Sequence, residues 1–165
     1  MSDILNAIGN TPIVKLQNIV PIGCGEIYVK LEAFNPTGSK KDRMALSMIL
    51  GAEKRGILKK GMTVVEYSGG STGAGLAFVC SLKGYNFRLV TADVFGKEKI
   101  DLMRSLGANL EIIKSSDGKI NKELITKMIK KANQISKEPN TFFTNQLDNN
   151  DVIDGFIPLG EEILY

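Results

Sequence analysis

Segments rich in β-branched residues alternate with amphipathic segments along most of the chain, and this alternation is the strongest constraint on its fold. Strands are predicted at 63–67, 86–92, 109–114 and 141–143, and helices at 39–55, 72–83, 97–106, 120–137 and 152–165. Strands that are joined by helices form parallel sheets through right-handed crossovers. The sequence therefore predicts an α/β fold in which a parallel four-stranded sheet carries helices on both faces.

Two predictions concern the ends of this pattern. Short strands at 12–17 and 26–33 are separated by a turn that contains Pro and Gly, and they have no evident place in the four-stranded sheet. The helix at 120–137 is expected to bury an apolar face opposite its lysines. That face consists of Ile120, Leu124, Met128, Ile129, Ala132 and Ile135.

Composition excludes several classes of function. The 165 residues suit one domain, and no apolar run reaches the roughly 20 residues that a membrane span needs. The first residues lack a secretory signal, so we expect a cytoplasmic protein in which Cys24 and Cys80 stay reduced. A net charge of +3 without a basic cluster argues against nucleic-acid binding. Because the chain has no histidine, Ser–His and Cys–His catalysis and histidine-based metal sites are excluded.

The first segment that could carry chemistry runs from Asn35 to Arg43 and reads NPTGSKKDR. Ser39 is predicted to cap the helix, with Asp42 completing a capping box three residues later. Lys41 then lies in the first turn, where the positive end of the helix dipole favours a neutral, nucleophilic amine. A capped helix with a solvated, charged first turn explains the same residues.

The second segment is glycine-rich and reads SGGSTGAG over Ser68–Gly75, between a predicted strand and a predicted helix. Free amides at the start of the helix, together with the hydroxyls of Ser68, Ser71 and Thr72, would bind an anion. The segment lacks the lysine of a P-loop and the glycine spacing of a dinucleotide site, so a carboxylate is as plausible a ligand as a phosphate. A tight turn with glycines needed only for packing is the alternative.

Gln146 follows the last predicted strand, and the carboxyl ends of parallel strands meet at one edge of the sheet. Its side chain could therefore hydrogen-bond a polar ligand beside the glycine-rich segment. As a loop amide, it is equally explained as a turn former.

Taken in order, three segments resemble the cysteine synthase (O-acetylserine sulfhydrylase) and cystathionine β-synthase family, which are pyridoxal-phosphate enzymes of fold type II. They are the opening IGNTPIVKL at 8–16, the lysine segment KLE–NPTGSKKDR between 30 and 43, and the glycine-rich loop. The helix EKIDLMRSLG at 98–107 matches as well. The resemblance implies a tryptophan synthase β-like fold and pyridoxal 5′-phosphate as cofactor.

The resemblance also implies a reaction and a set of site residues. The reaction would be β-replacement, which makes L-cysteine from O-acetylserine and sulfide. Lys41 would hold the cofactor and remove the Cα proton of the substrate, and Ser71 would approach the cofactor ring. The substrate carboxylate would be bound by Ser68, Gly69, Gly70, Ser71, Thr72 and Gln146.

The loop departs from the usual family pattern at two positions. Where relatives commonly have Thr-Ser-Gly-Asn-Thr-Gly, this chain has Ser-Gly-Gly-Ser-Thr-Gly over residues 68–73. Gly69 thus removes a hydroxyl, and Ser71 is a shorter donor than the usual Asn. Both changes leave the identity of the amino-acid substrate open.

Members of this family are roughly twice as long as this chain, form two domains and usually pair as homodimers. The resemblance implies that residues 1–38 and 151–165 belong to the larger domain, with 39–150 forming the smaller α/β domain. The chain is therefore expected to be an amino-terminal portion of such an enzyme and to be inactive alone. A non-catalytic scaffold and a dehydratase-type lyase, which would release a keto acid from serine or threonine, are the alternative functions.

Overall fold

The computed structural model describes residues 4–164, which contain five α-helices. These are α1 (Lys41–Lys54), α2 (Ser71–Lys83), α3 (Lys97–Ser105), α4 (Lys122–Ile135) and α5 (Asp151–Leu164). None of the helices in this part of the chain is both long enough and apolar enough to cross a membrane.

Six strands form two separate sheets. They are β1 (Ile13–Lys15), β2 (Tyr28–Lys30), β3 (Thr63–Tyr67), β4 (Asn86–Ala92), β5 (Asn109–Ile113) and β6 (Thr141–Phe143). The last four form a fully parallel sheet, as the sequence predicts, and their order in it is β5-β4-β3-β6. The first two pair only with each other and run antiparallel, which explains why they had no place in the larger sheet.

Successive side chains of β3 and β4 point to opposite faces of the sheet, so the interior consists of two clusters, one on each face. Val64 and Leu89 point to one face of the sheet and pack with residues of α1, α2 and α3. Val65 and Val90, one position further along, point to the opposite face and pack with α4. This period of two is what a strand buried on both faces requires. The predicted helices on both faces are therefore confirmed.

Several predicted boundaries are wrong by one to three residues. The strands at 12–17 and 26–33 shorten to β1 and β2, because two strands without a third partner support few ladder hydrogen bonds. Helix α4 begins at Lys122, where the side chain of Asn121 accepts a hydrogen bond from the amide of Leu124 at 2.8 Å. Ile120 precedes this cap and is 61% exposed, so it does not belong to the apolar face.

The start of α1 also differs from the prediction. Lys40 is the N-cap residue, and Ser39 lies one position before it, with its hydroxyl oxygen 3.2 Å from the amide of Lys41. Asp42 does not complete a capping box. Its carboxylate accepts hydrogen bonds from the amide and hydroxyl of Thr37, and so closes the loop that leads into the helix. Burial raises the pKa of Asp42 despite these two bonds.

Glycines allow α1 to approach two other helices closely. A β-carbon built on Gly155 of α5 would lie 2.9 Å from the backbone of Arg43 and Met44. One built on Gly75 of α2 would lie 3.2 Å from the carbonyl oxygen of Lys41. Side chains larger than hydrogen would push the helices apart at both crossings. Helix α1 is therefore held between α2 and α5 by contacts that depend on the absence of a β-carbon.

We expect Gly155→Ala to destabilise the chain by about 1–3 kcal/mol, because the added methyl group meets backbone atoms that cannot move independently. Gly160→Ala in the same helix is the matched control, since nothing lies within 4 Å of its β-carbon position. There the gain in helix propensity should stabilise by about 0.5–1 kcal/mol. Urea unfolding followed by circular dichroism measures both changes. Equal effects of the two substitutions would show that the α1–α5 contact is not tight.

A cluster of ionic contacts surrounds the guanidinium of Arg43 on α1. Both oxygens of Glu162, on α5, lie 2.7 Å from its Nη1 and Nη2 atoms. Glu32, which follows β2, is bound through Nε at 2.8 Å and Nη2 at 2.9 Å. Lys30 of β2 also binds Glu162, and the amide of Asn10 donates to it at 3.0 Å. This Arg43 cluster joins the first residues of the chain to α1 and α5.

The cluster shifts the protonation of its members. The hydrogen bonds from Arg43 are the largest influence on Glu162, and they hold the pKa of that carboxyl down at about 2, against an ordinary value of 4.5. Burial opposes the shift but is outweighed. Because the folded state lowers this pKa, the stabilisation is fully present above the ordinary value and is lost as the pH falls toward 2.

We expect Glu162→Gln to lower the free energy of unfolding by about 3 kcal/mol at neutral pH, because it removes one charge from a largely buried cluster. The difference from wild type should shrink as the pH is lowered through 4.5 toward 2, where wild-type Glu162 is itself protonated. The exposed neighbour Glu161→Gln is the control and should have little effect. A pH-independent cost, measured by urea unfolding, would contradict the assignment.

Candidate active site

The glycine-rich loop lies at the carboxyl edge of the four-stranded sheet. Ser68 follows β3, and its amide donates to the carbonyl of Val90 at 2.9 Å, which extends the pairing with β4 by one residue. The chain then turns at Gly69 and Gly70 and enters α2 at Ser71, one residue earlier than the prediction. The loop thus occupies the edge at which ligands bind in parallel α/β sheets.

Ser68 stabilises the start of α2. Its hydroxyl oxygen accepts hydrogen bonds of 3.2 Å from the amides of Gly70 and Gly73. These bonds use the two acceptor positions of a hydroxyl group and leave its hydrogen as a donor. Ser68 is thereby a helix cap whose remaining O–H can be offered to a ligand.

The first turn of α2 provides backbone donors. The amides of Ser71 and Thr72, as the first two residues of the helix, have no acceptor within it. The side chain of Ser71 is exposed, whereas Thr72 is buried. Together with the positive end of the helix dipole, these groups suit a carboxylate or a phosphate.

The glycines further along the segment have a packing role. A β-carbon on Gly73 would lie 2.7 Å from the sulfur of Met103 and 2.8 Å from a methyl carbon of Leu89. Gly75 faces α1, as described above. The two interpretations of the segment are therefore compatible, because its first residues expose donors and its later glycines fit the helix into the core.

Lys41 is the first residue of α1 and is half-buried. Its Nζ atom lies 5.7 Å from the centroid of the Phe156 ring, on α5, and makes no ion pair with any residue between 4 and 164. The close contact of Gly75 with the backbone of Lys41 brings the starts of α1 and α2 together. The structure thus juxtaposes the two segments that the sequence singled out.

Gln146 lies beside the end of β3. Its side-chain amide nitrogen donates to the carbonyl of Tyr67 at 2.9 Å, directly before the glycine-rich loop. The same side chain also hydrogen-bonds the Glu66 carboxyl, and its amide oxygen remains for other partners. Gln146 is therefore next to the loop, as expected from the meeting of strand ends at one edge.

Glu66, which holds Gln146 in place, was not among the residues predicted from the sequence. This fully buried carboxylate accepts hydrogen bonds from the Thr144 hydroxyl at 2.7 Å and from the amides of Gln146 at 2.9 Å and Tyr67 at 2.8 Å. Burial raises the pKa of Glu66, and the hydrogen bonds oppose that shift. A charged residue within the apolar run of β3 was the signal that could have found it.

The two cysteines lie in contrasting environments and are both free thiols. Cys80 on α2 is fully buried, which confirms its interpretation as a small core residue, and burial raises the pKa of its thiol. Cys24 is exposed in the segment between β1 and β2. Within residues 4–164, no group of three or more Cys, Asp or Glu side chains is arranged to hold a metal ion.

Comparison with known proteins identifies the family. The model of the family described as pyridoxal-phosphate dependent enzymes matches residues 4–165. A cysteine synthase of Staphylococcus aureus is 41% identical over 149 residues, which cover 90% of this chain and 46% of that protein. The chain therefore spans about half the length of the curated relatives that it matches.

Solved structures agree with this assignment. A hydrogen sulfide-producing enzyme from Fusobacterium nucleatum is 37% identical, with a TM-score of 0.89 over 99% of this chain and 52% of that one. O-acetylserine sulfhydrylase isoform 3 from Entamoeba histolytica is 32% identical, with a TM-score of 0.86 over 99% and 49% of the two chains. The order of the motifs, the parallel sheet and the matched family model agree, and the chain belongs to the family of pyridoxal-phosphate dependent enzymes.

Proposed function

We propose that this chain forms the amino-terminal part of an enzyme that makes L-cysteine from O-acetylserine and sulfide by β-replacement. The observation that carries the proposal is the junction of α1 and α2, where Lys41 and the loop over 68–72 start adjacent helices. The names of the relatives from S. aureus and E. histolytica support this choice of reaction. The relatives are about twice as long as this chain, and this chain matches about half of their length. The proposed reaction therefore refers to an enzyme that also contains the residues of the other half.

Lys41 suits covalent attachment of pyridoxal phosphate. A primary amine condenses with an aldehyde, and the Nζ atom of Lys41 lies at the start of α1, 5.7 Å from the centroid of the Phe156 ring. Within residues 4–164, Lys41 forms no ion pair that would hold its amine away from an aldehyde. When bound, pyridoxal phosphate withdraws electrons from the Cα atom of an amino acid.

The remaining residues bind and orient the substrate. The amides of Ser71 and Thr72 and the O–H of Ser68 donate to the α-carboxylate, and the backbone of Gly69 and Gly70 forms the rest of this carboxylate site. Gln146, held by Glu66, lies at the same edge and is assigned to the carboxylate site. We also assign Ser71 a contact with the ring of the cofactor.

The proton chemistry is assigned to Lys41. Its amine takes the proton from Cα, acetate then leaves Cβ, and hydrosulfide forms the new C–S bond at Cβ. The same lysine returns the proton to Cα, so the net change is O-acetylserine and hydrosulfide to cysteine and acetate. A single amine that acts in both directions needs no histidine.

The domain division and the assembly belong to the same proposal. Residues 1–38 and 151–165 are assigned to the larger domain, and 39–150 to the smaller one. The separate β1–β2 sheet and the contacts of Lys30 and Asn10 with Glu162 support this grouping. We expect the protein to form a homodimer, which light scattering coupled to size-exclusion chromatography would test.

We expect pyridoxal phosphate to produce a visible absorbance band with the wild-type chain that is lost in Lys41→Ala, because covalent attachment requires that amine. Lys40→Ala is the matched control, since Lys40 is the exposed neighbour at the N-cap and should keep the band. A band that survives in Lys41→Ala would contradict the assignment. A wild-type chain that stays colourless would favour the non-catalytic scaffold.

The reaction type is tested in a protein that gives the band. Addition of O-acetylserine and sulfide should release cysteine in amounts that depend on sulfide. Release of a keto acid from serine or threonine without sulfide would instead identify a dehydratase-type lyase. The two products are separated by amino-acid analysis and a colorimetric keto-acid assay.

A further inference from the structure

The turn between β4 and α3 packs against the glycine-rich loop from outside. Strand β4 lies next to β3, so the carboxyl ends of the two strands open at the same edge. The amide of Phe95 donates to the carbonyl of Ala92 at 3.3 Å, which turns the chain back toward that edge. The Phe95 ring is half-buried and packs against the cluster on the α4 face of the sheet.

Phe95 occupies the space in which a side chain at position 69 would lie. A β-carbon built on Gly69 overlaps three carbons of the Phe95 ring, namely Cδ1, Cε1 and Cζ. Non-bonded carbon atoms are stable about 3.5–4.0 Å apart, so the ring in this position excludes any β-carbon at 69. Gly69 and Phe95 are therefore a matched pair, in which the loss of one side chain makes room for the other.

A cation lies near the next residue of the loop. The Nζ atom of Lys99, in the first turn of α3, is 3.6 Å from the β-carbon position of Gly70. Lys99 forms no ion pair with the residues between 4 and 164, whereas Lys97 in the same turn pairs with Asp101. The turn after β4 thus places an aromatic ring and an ammonium group against the two glycines of the loop.

We propose that Phe95 is a specificity-determining residue of the carboxylate subsite, an inference that rests on the proposed function. Its ring replaces the hydroxyl that a serine at 69 would offer and excludes water from one side of the loop. Hydrogen bonds between amides and a carboxylate strengthen when water is excluded. The free-energy cost of binding a neutral ligand in place of the carboxylate therefore grows. The subsite therefore selects amino acids with a free α-carboxylate over their carboxamides.

The first test needs no ligand. In ¹⁵N- and ¹³C-labelled wild-type chain, the α-protons of Gly69 should show a ring-current shift that disappears in Phe95→Leu. Phe34→Leu is the control, because Phe34 is an exposed phenylalanine in the turn after β2. If Gly69 shows no ring-current shift, the pairing and the inference are both wrong.

The second test measures selectivity with L-alanine and L-alaninamide, which lack a leaving group and differ at the carboxylate. Titrations followed through the amides of 69–73 should show tighter binding of alanine, and Phe95→Ala should reduce this preference about tenfold. Gly69→Ser alone should weaken alanine binding by displacing the ring. Gly69→Ser combined with Phe95→Ala should bind alanine more tightly than either single variant, since the serine then has room to donate.

The outcomes separate this inference from the proposed function. If the loop amides of the wild-type chain do not respond to L-alanine, the assignment of the carboxylate site fails. If they respond but Phe95→Ala keeps the preference, or the two substitutions act additively, only the role of Phe95 fails. Circular dichroism of each variant shows whether it is folded, and the ring-current result stands without Gly69→Ser.

Discussion

The double carboxylate pairing of Arg43 is the interaction on which the arrangement of this chain depends. One guanidinium binds a glutamate that follows β2 and another on α5, so three segments distant in sequence meet at the first turn of α1. A planar group with five donors can satisfy two carboxylates at once, which a lysine in its place could not do. Because Lys41 lies two residues before Arg43, the cluster also fixes the backbone position of Lys41.

Close helix packing, in addition to the ionic cluster, fixes the position of α1. Gly75 and Gly155 let α2 and α5 reach the backbone of α1 from two sides. The start of α2 thereby faces the start of α1, and Phe156 of α5 comes to the side of Lys41. Lys41 and the free amides at the start of α2 are thus supported by helix backbones rather than by flexible loops, which favours a fixed geometry.

The fold and the site differ in how far the sequence could predict them. The four-stranded sheet was predictable because runs such as Thr63–Tyr67 bury both faces, and Lys41 and Ser68–Thr72 belong to local motifs. Glu66 was missed because its partners lie almost eighty residues away. The pairing of Phe95 with Gly69 likewise depends on the spacing of neighbouring strands. A pattern of residues that are close in sequence carries no information on contacts between residues that are far apart in sequence.

The buried thiol of Cys80 can report how often the core around α2 opens. An alkylating reagent should modify the exposed Cys24 at once, whereas Cys80 can react only after α2 separates from the core around it. The delay between the two labelling events therefore measures how often α2 leaves the core. Since α2 begins at the candidate site, the same rate reports how long that site remains assembled.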